Sequence, residues 1–177
     1  IKDSNKFLKS INYFLSRYGI SILDLKKREF TFHSRYSAKA RIYKYVILNR
    51  KSGSVLKNKR CWHIINKLNL AMMKKGAKKL IGTKDFSTFR SSSCSAKTPV
   101  RTIKSIKFLS KKDIIEIEIK AQSFLQNQVR SMVGCLKYVG EDRWSIQKFD
   151  KIIKSKKRTN CAPPAPAEGL YLTKVIY

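Results

Sequence analysis

Residues 114–121 limit the possible folds of this chain more than any other stretch of its sequence. They are Ile-Ile-Glu-Ile-Glu-Ile-Lys-Ala, with an isoleucine at every second position and charged residues between. Because successive side chains of a strand point to opposite faces, this alternation predicts a strand with one buried face and one polar face. A second run with apolar residues, at 102–110, precedes it across a short polar connection, so the two segments predict an antiparallel hairpin.

Helices and further strands are predicted on both sides of this hairpin. Apolar side chains at helical spacing predict four helices, over residues 7–18, 64–80, 124–139 and 144–156. Runs of β-branched and aromatic residues predict strands at 20–25, 41–49 and 170–177, and Tyr43, Tyr45 and Ile47 share one face of the second. We therefore expect an α+β fold: one domain over residues 1–177, with a mostly antiparallel sheet, helices packed on one face and the other face free to meet a ligand.

The chain carries a large excess of positive charge. It has 40 Lys and Arg residues against 11 Asp and Glu residues, a net charge of +29. A surface of this charge repels itself unless a polyanion lies against it, which favours nucleic acid as the partner. The basic residues are spread along the chain, so we expect a basic face on a folded domain. As an alternative, part of the lysine excess reflects A-rich codon usage and carries no function.

Cysteine spacing and hydropathy exclude several other classes of protein. The four cysteines are far apart, at positions 61, 94, 135 and 161, with no Cys-x-x-Cys pair and only two histidines. This pattern predicts neither a metal site nor a redox role, and is typical of reduced cysteines in a cytoplasmic protein. No apolar run approaches the roughly 20 residues that a membrane helix needs, and no signal peptide is recognisable. We interpret the chain as soluble and cytoplasmic.

Four blocks of sequence follow one another along the chain in a distinctive order. The first is Phe-His-Ser-Arg-Tyr-Ser-Ala at 32–38 with Arg-Ile-Tyr-Lys-Tyr at 41–45, and the second is Asp-Phe-Ser-Thr-Phe-Arg at 85–90. The third is Phe-Leu-Gln-Asn-Gln-Val-Arg-Ser-Met-Val-Gly at 124–134, and the fourth is Ala-Pro-Pro-Ala-Pro-Ala-Glu-Gly-Leu-Tyr-Leu at 162–172. Each block alone is weak, but together and in this order the sequence resembles the tRNA pseudouridine synthase A family.

The resemblance implies a pseudouridine-synthase-like catalytic domain that converts uridine to pseudouridine in the anticodon stem-loop of tRNA. It implies no cofactor and no metal, tRNA as the partner and a homodimer in the full-length protein. The family's catalytic aspartate lies in the string Arg-Thr-Asp-x-Gly-Val-His, which does not occur in these 177 residues. We therefore expect the C-terminal portion of a synthase, inactive alone, with residues 1–29 leading out of a missing N-terminal half.

Three residues match the family's active-site positions. By resemblance, Arg130 pairs with the catalytic aspartate, Tyr43 stacks on the uracil and Leu170 packs against the other face of the base. Each has a plain alternative: an arginine that reaches solvent, a core tyrosine on a strand and an ordinary core leucine. Tyr45 is assigned to the core.

Five residues are expected to contact RNA: His33, Arg35, Lys39, Arg41 and Arg90. As an alternative, His33 supports the structure of its own loop. Two other functions are weighed for the whole chain. One is a noncatalytic basic RNA-binding protein that keeps the synthase scaffold, and the other is a basic ribosome-associated protein, which explains only the charge.

Overall fold

The structure is a computed structural model that describes residues 3–177, and it divides into two compact units, Ile1–Ser37 and Ala38–Tyr177. In the first unit, helix α1 (Ser4–Leu15) begins after Asp3, whose carboxylate accepts hydrogen bonds from two backbone N–H groups of the first turn. A 3-10 turn extends the helix to Tyr18, and Gly19 ends it with a φ of 69°. The helix predicted over residues 7–18 is confirmed, and it begins three residues earlier, at Ser4, because Asp3 caps it.

The strand expected at residues 20–25 is wrong, since residues 20–29 form no strand. Both backbone polar groups of Ile22 form hydrogen bonds with the Asn12 side chain. Its N–H donates to Asn12 Oδ1 at 2.7 Å, and its carbonyl oxygen accepts from Asn12 Nδ2 at 2.8 Å. A side chain of α1 thus occupies the groups that a neighbouring strand would need.

The second unit is built on a six-stranded sheet. Its strands are β1 (Ala40–Asn49), β2 (Trp62–Ile64), β3 (Gly82–Asp85), β4 (Val100–Lys111), β5 (Ile114–Ala121) and β6 (Leu170–Ile176). The order is β2-β1-β5-β4-β3, and β6 also pairs with β1. Only β1 and β2 are parallel, so the predicted mostly antiparallel sheet is confirmed.

Strand β1 lies in the middle of this sheet and is paired on both sides. One side pairs with β5 along eight residues, from Arg41 opposite Ala121 onward. The other side is shared, because β6 pairs with the first half of β1 and β2 with its last three residues. The side chains of Tyr43, Tyr45 and Ile47 lie on one face, opposite alternate isoleucines of β5.

Three helices cover that face: α2 (Leu70–Lys78), α3 (Gln128–Gly140) and α4 (Ile146–Ser155). Met132, Leu136 and Val139 of α3 are fully buried in one core with Tyr45 and alternate isoleucines of the sheet. The opposite face is polar, and an ion pair of 2.9 Å joins Lys44 to Glu116 there. No helix in residues 3–177 has the length and apolar character to cross a membrane.

Candidate active site

Arg130 lies in the first turn of α3, where two oxygen atoms hold its guanidinium group. Its Nε donates a hydrogen bond to the Ala165 carbonyl oxygen at 2.7 Å, and Nη1 donates to Asn127 Oδ1 at 3.2 Å. The Ala165 amide donates back to the Arg130 carbonyl oxygen at 3.0 Å. These bonds fix the direction of a half-buried side chain, whose Nη2 has no partner among residues 3–177.

The Arg130 guanidinium forms no ion pair with any carboxylate of residues 3–177. A partly desolvated cation gains most from an anionic partner that meets two of its nitrogens side by side. Nη2 and the second N–H of Nη1 remain for such a partner, so Arg130 is preorganised to bind a carboxylate or another anion.

The segment 162–169 packs closely against α3. A Cβ added at Gly134 would collide with the Pro163 carbonyl oxygen, so this approach requires glycine. Ala162 and Ala165 are buried against the core. The segment is thus held to the helix at the same place where Ala165 binds Arg130.

Tyr45 holds the other end of this segment. Its hydroxyl donates a hydrogen bond to the Pro166 carbonyl oxygen at 2.7 Å, and its side chain is fully buried. A Cβ at Gly169 would lie 2.8 Å from the Tyr45 ring, so glycine is needed there too. Burial raises the pKa of Tyr45 and the charge of Arg130 opposes that rise, so the hydroxyl stays a neutral donor at ordinary pH.

Tyr43 and Leu170 lie on the same face of two paired strands. Leu170 begins β6 directly opposite Tyr45, and Leu172 lies opposite Tyr43. The Tyr43 ring makes an edge contact with Phe124, with centroids 5.2 Å apart and planes at 89°. Both Tyr43 and Leu170 are half-buried, so each side chain keeps some exposed surface.

Tyr45 connects the three residues that sequence matching selects. It is two positions from Tyr43 on β1 and pairs with Leu170 across the sheet. It also lies close enough to Arg130 for the positive charge to oppose the rise in the pKa of its hydroxyl. The structure therefore gathers Tyr43, Arg130 and Leu170 around one buried tyrosine on the helix-covered face.

In the first unit, His33 supports the structure of its own loop. Its Nδ1 accepts hydrogen bonds from the Arg35 and Tyr36 amides at 3.1 and 3.3 Å, and its carbonyl oxygen accepts one from the Ser37 amide at 2.8 Å. The Arg35 guanidinium lies 5.7 Å from the centre of the Tyr36 ring. His33, Arg35 and Tyr36 are all exposed, so the turn presents a histidine, an arginine and a tyrosine on its surface.

In the second unit, the three expected RNA contacts have different environments. Lys39 is exposed just before β1, and Arg41 donates a hydrogen bond to the Gln122 carbonyl oxygen at 2.6 Å. Arg90 is half-buried, and its Nη2 donates to the Cys94 and Ala96 carbonyl oxygens at 2.8 and 2.7 Å. Arg90 thus has a structural task in holding its loop.

Sequence reasoning missed two residues that shape the site. Asn127, which positions the Arg130 guanidinium, precedes α3 with a φ of 60°, and the only signal was its place three residues before Arg130. Tyr45 was assigned to the core and is buried, but its hydroxyl also anchors the segment at Pro166. An aromatic side chain in an alternating strand gives no sign of such a hydrogen bond.

Among residues 3–177, no group of three or more histidine, cysteine or acidic side chains is arranged to hold a metal ion. The cysteines are not all isolated, however. Cys135 Sγ and Cys161 Sγ lie 3.5 Å apart, although 26 residues separate them in the sequence.

Comparison with known proteins finds one family over most of the chain. The sequence profile of the tRNA pseudouridine synthase family matches residues 77–177. That range contains Arg130, Leu170 and the segment between them.

Several curated proteins named tRNA pseudouridine synthase A are also similar to the chain. The protein of Pelagibacter ubique is 62% identical over 177 residues, which is 100% of this chain and 72% of the relative. That of Thermoanaerobacter sp. is 46% identical over 158 residues, covering 89% of this chain and 65% of the relative. That of Rhodospirillum centenum is 37% identical over 174 residues, covering 98% and 71%. The chain therefore spans about two thirds to three quarters of the length of these relatives.

Proposed function

Because the chain belongs to the tRNA pseudouridine synthase family, we propose that it supplies a large part of the active site of an enzyme that isomerises uridine to pseudouridine in tRNA. The observation that carries this proposal is the state of Arg130. Its guanidinium is oriented by Ala165 and Asn127, lies beside the core and has no carboxylate partner among residues 3–177. An arginine held in this way is suited to receive the carboxylate of a catalytic aspartate.

We propose that this aspartate comes from sequence other than these 177 residues, because the family's aspartate string does not occur among them. Arg130 would lower the pKa of the incoming carboxylate and hold it in a fixed orientation. The bond between the ribose and N1 of the uracil would then break, the uracil would turn while it is held, and its C5 would bond to the ribose; C5 loses a proton and N1 gains one, so the product is an isomer of the substrate. On this proposal, residues 1–177 alone are inactive.

Tyr43 and Leu170 are proposed to hold the base during this reaction. The target uridine must leave its stack, which costs a few kcal/mol, so the site must replace the lost stacking. Tyr43 offers an aromatic ring whose plane is set by Phe124, and Leu170 offers an apolar surface on the neighbouring strand. One ring and one aliphatic side chain can hold a planar base between them.

The target is proposed to be the anticodon stem-loop, and the positive charge of the chain to bind its phosphates. His33, Arg35, Lys39 and Arg41 remain the expected contacts, and a net charge of +29 supplies attraction that does not depend on sequence. Arg90 also remains an expected contact, although its bonds to Cys94 and Ala96 favour a role in shaping the loop. The full-length protein is proposed to be cytoplasmic and to form a homodimer. Light scattering during size-exclusion chromatography would test the homodimer.

The test is the effect of Arg130→Ala on pseudouridine formation in a protein that includes the aspartate-bearing segment. We expect a loss of at least roughly 10²-fold in turnover, because the carboxylate loses its partner and its orientation. Arg130→Lys keeps the charge but not the planar fork, so it should recover little. Arg143→Ala is the control, since this exposed arginine lies over the Tyr138 ring and belongs to no part of the site.

Retained activity in a folded Arg130→Ala protein would overturn the role given to Arg130. A second experiment distinguishes the enzyme from the noncatalytic RNA-binding protein. It measures both tRNA binding and pseudouridine formation by the complete protein. An RNA-binding protein without catalytic function would bind tRNA and form no pseudouridine at any enzyme concentration.

A further inference from the structure

We propose that Cys135 and Cys161 form a reversible disulfide that fastens the Arg130-holding segment to helix α3. Their sulfur atoms are 3.5 Å apart, and a disulfide needs about 2.05 Å. The remaining gap is about 1.5 Å, which small side-chain rotations and local shifts can close. In residues 3–177, no other pair of cysteines is in contact.

The two thiols differ in a way that suits stepwise oxidation. Cys135 is fully buried on α3, whereas Cys161 is half-buried at the end of a short 3-10 turn (Arg158–Asn160). The contact with Cys135, the charge and hydrogen bonding of Arg158 and the hydrogen bonding of Ser131 outweigh burial, so the pKa of Cys161 is lowered. The contact with Cys161 and, after it, burial raise the pKa of Cys135. Cys161 is thus the attacking group and Cys135 the second thiol.

The oxidant is a small disulfide such as glutathione disulfide. The Cys161 thiolate attacks one sulfur of this molecule, forms a mixed disulfide and releases one glutathione thiolate. The Cys135 thiol then gives up its proton and attacks Cys161 Sγ, which forms the protein disulfide and releases the second glutathione thiolate. Two protein thiols and one glutathione disulfide become one protein disulfide and two glutathione molecules, so atoms and electrons balance.

The bond would act on the segment that shapes the proposed active site. Cys161 directly precedes residues 162–165, which pack on α3 at Gly134 and bind Arg130 through Ala165. A link between Cys161 and α3 would hold this segment against local opening. Formation of the disulfide does not depend on the proposed function, whereas its relevance to catalysis rests on it.

The test is to incubate the intact protein with glutathione disulfide, quench with acid and measure its mass. We expect a loss of two hydrogen atoms without a glutathione adduct, and peptide mapping should link residue 135 to residue 161. Cys135→Ser should stop at one glutathione adduct on Cys161, because the second thiol is missing. Cys94→Ser is the control and should still form the disulfide, since Cys94 binds neither of the two sulfurs.

Two further readouts concern the segment itself. The disulfide closes a loop of 26 residues, so the melting temperature should rise by roughly 5–10 °C. Hydrogen exchange of the Ala165 amide, which donates to Arg130, should slow in the oxidised protein. Four alkylatable thiols after incubation, or a stable glutathione adduct on the unmodified sequence without a 135–161 link, would overturn the proposal. Neither result depends on whether the protein forms pseudouridine.

Discussion

The hydroxyl of Tyr45 anchors the segment 162–169 to the sheet through one hydrogen bond. It donates to the Pro166 carbonyl oxygen from a fully buried ring, and the segment 162–169 that it anchors contains the partner of Arg130, Ala165, and leads directly into β6. Removal of one partner from a buried hydrogen bond leaves the other group unsatisfied, which costs more than the bond contributes. The hydroxyl therefore adds to the stability that the buried ring contributes, because it satisfies the Pro166 carbonyl oxygen.

Tyr45→Phe should lower the free energy of unfolding by about 1–3 kcal/mol, because the Pro166 carbonyl loses its donor. Tyr171→Phe is a matched control. Its hydroxyl also donates to a backbone carbonyl oxygen, that of Arg60 at 2.6 Å. This side chain is exposed, so in the variant a water molecule can donate to the Arg60 carbonyl oxygen instead. Urea denaturation of both variants should show the larger loss in Tyr45→Phe. Equal losses would contradict the role given to the buried bond.

Among the helices and strands, the sequence predicts those in which the apolar pattern repeats several times. The alternation of β5 and the helical spacing in α3 each extend over several periods, and both elements are found. Strands β2 and β3 have three and four residues, so they are too short for a period to be visible. The helix expected over 64–80 is confined to Leu70–Lys78, because Ile64 belongs to β2 and the Asn69 side chain caps the helix at its start.

The start of α3 shows why a site is harder to predict than a helix. The apolar pattern begins at Phe124, but the helix begins at Gln128, because Asn127 takes a left-handed conformation. This late start lets the Asn127 side chain reach the Arg130 guanidinium. Similarly, the contact between Cys135 and Cys161 arises from packing across 26 residues, and cysteine spacing alone does not reveal it.

The turn after β3 gives a prediction about pH. Desolvation raises the pKa of Asp85, but hydrogen bonds from Ser87 and the charge of Lys156 outweigh it, so the pKa is below its ordinary value of 3.8. The ionised carboxylate therefore stabilises the fold above pH 3.8, and this contribution is lost as pH falls through the lower folded-state pKa. Asp85→Asn should cost about 0.5–1 kcal/mol at neutral pH, because the Lys156 pair is largely exposed.

This prediction is tested by thermal unfolding of the unmodified protein and of Asp85→Asn, from neutral pH to below pH 3.8. The two stability curves should differ at neutral pH and converge as the carboxylate of the unmodified protein becomes protonated. A difference that stays constant down to low pH would show that the substitution acts through packing and not through charge.

For the whole molecule, the net charge of +29 predicts how tRNA affinity responds to salt. Each phosphate that a lysine or arginine neutralises releases counterions, so affinity falls steeply with salt concentration. Contacts to roughly 6–10 phosphates would weaken binding by roughly 10³-fold or more between 50 and 200 mM salt. Such a slope would require the basic residues to act together, since no single side chain produces it.

Lys39→Ala should lower the magnitude of the slope of log K against log salt by about 1, because one phosphate contact is lost. Lys154→Ala should leave the slope unchanged, because Lys154 already pairs with Asp150 at 2.6 Å. Filter binding of a tRNA over a series of salt concentrations gives both slopes. An affinity that does not change with salt would contradict the electrostatic mechanism for the whole protein. An unchanged slope in Lys39→Ala alone would remove only Lys39 from the RNA-binding surface.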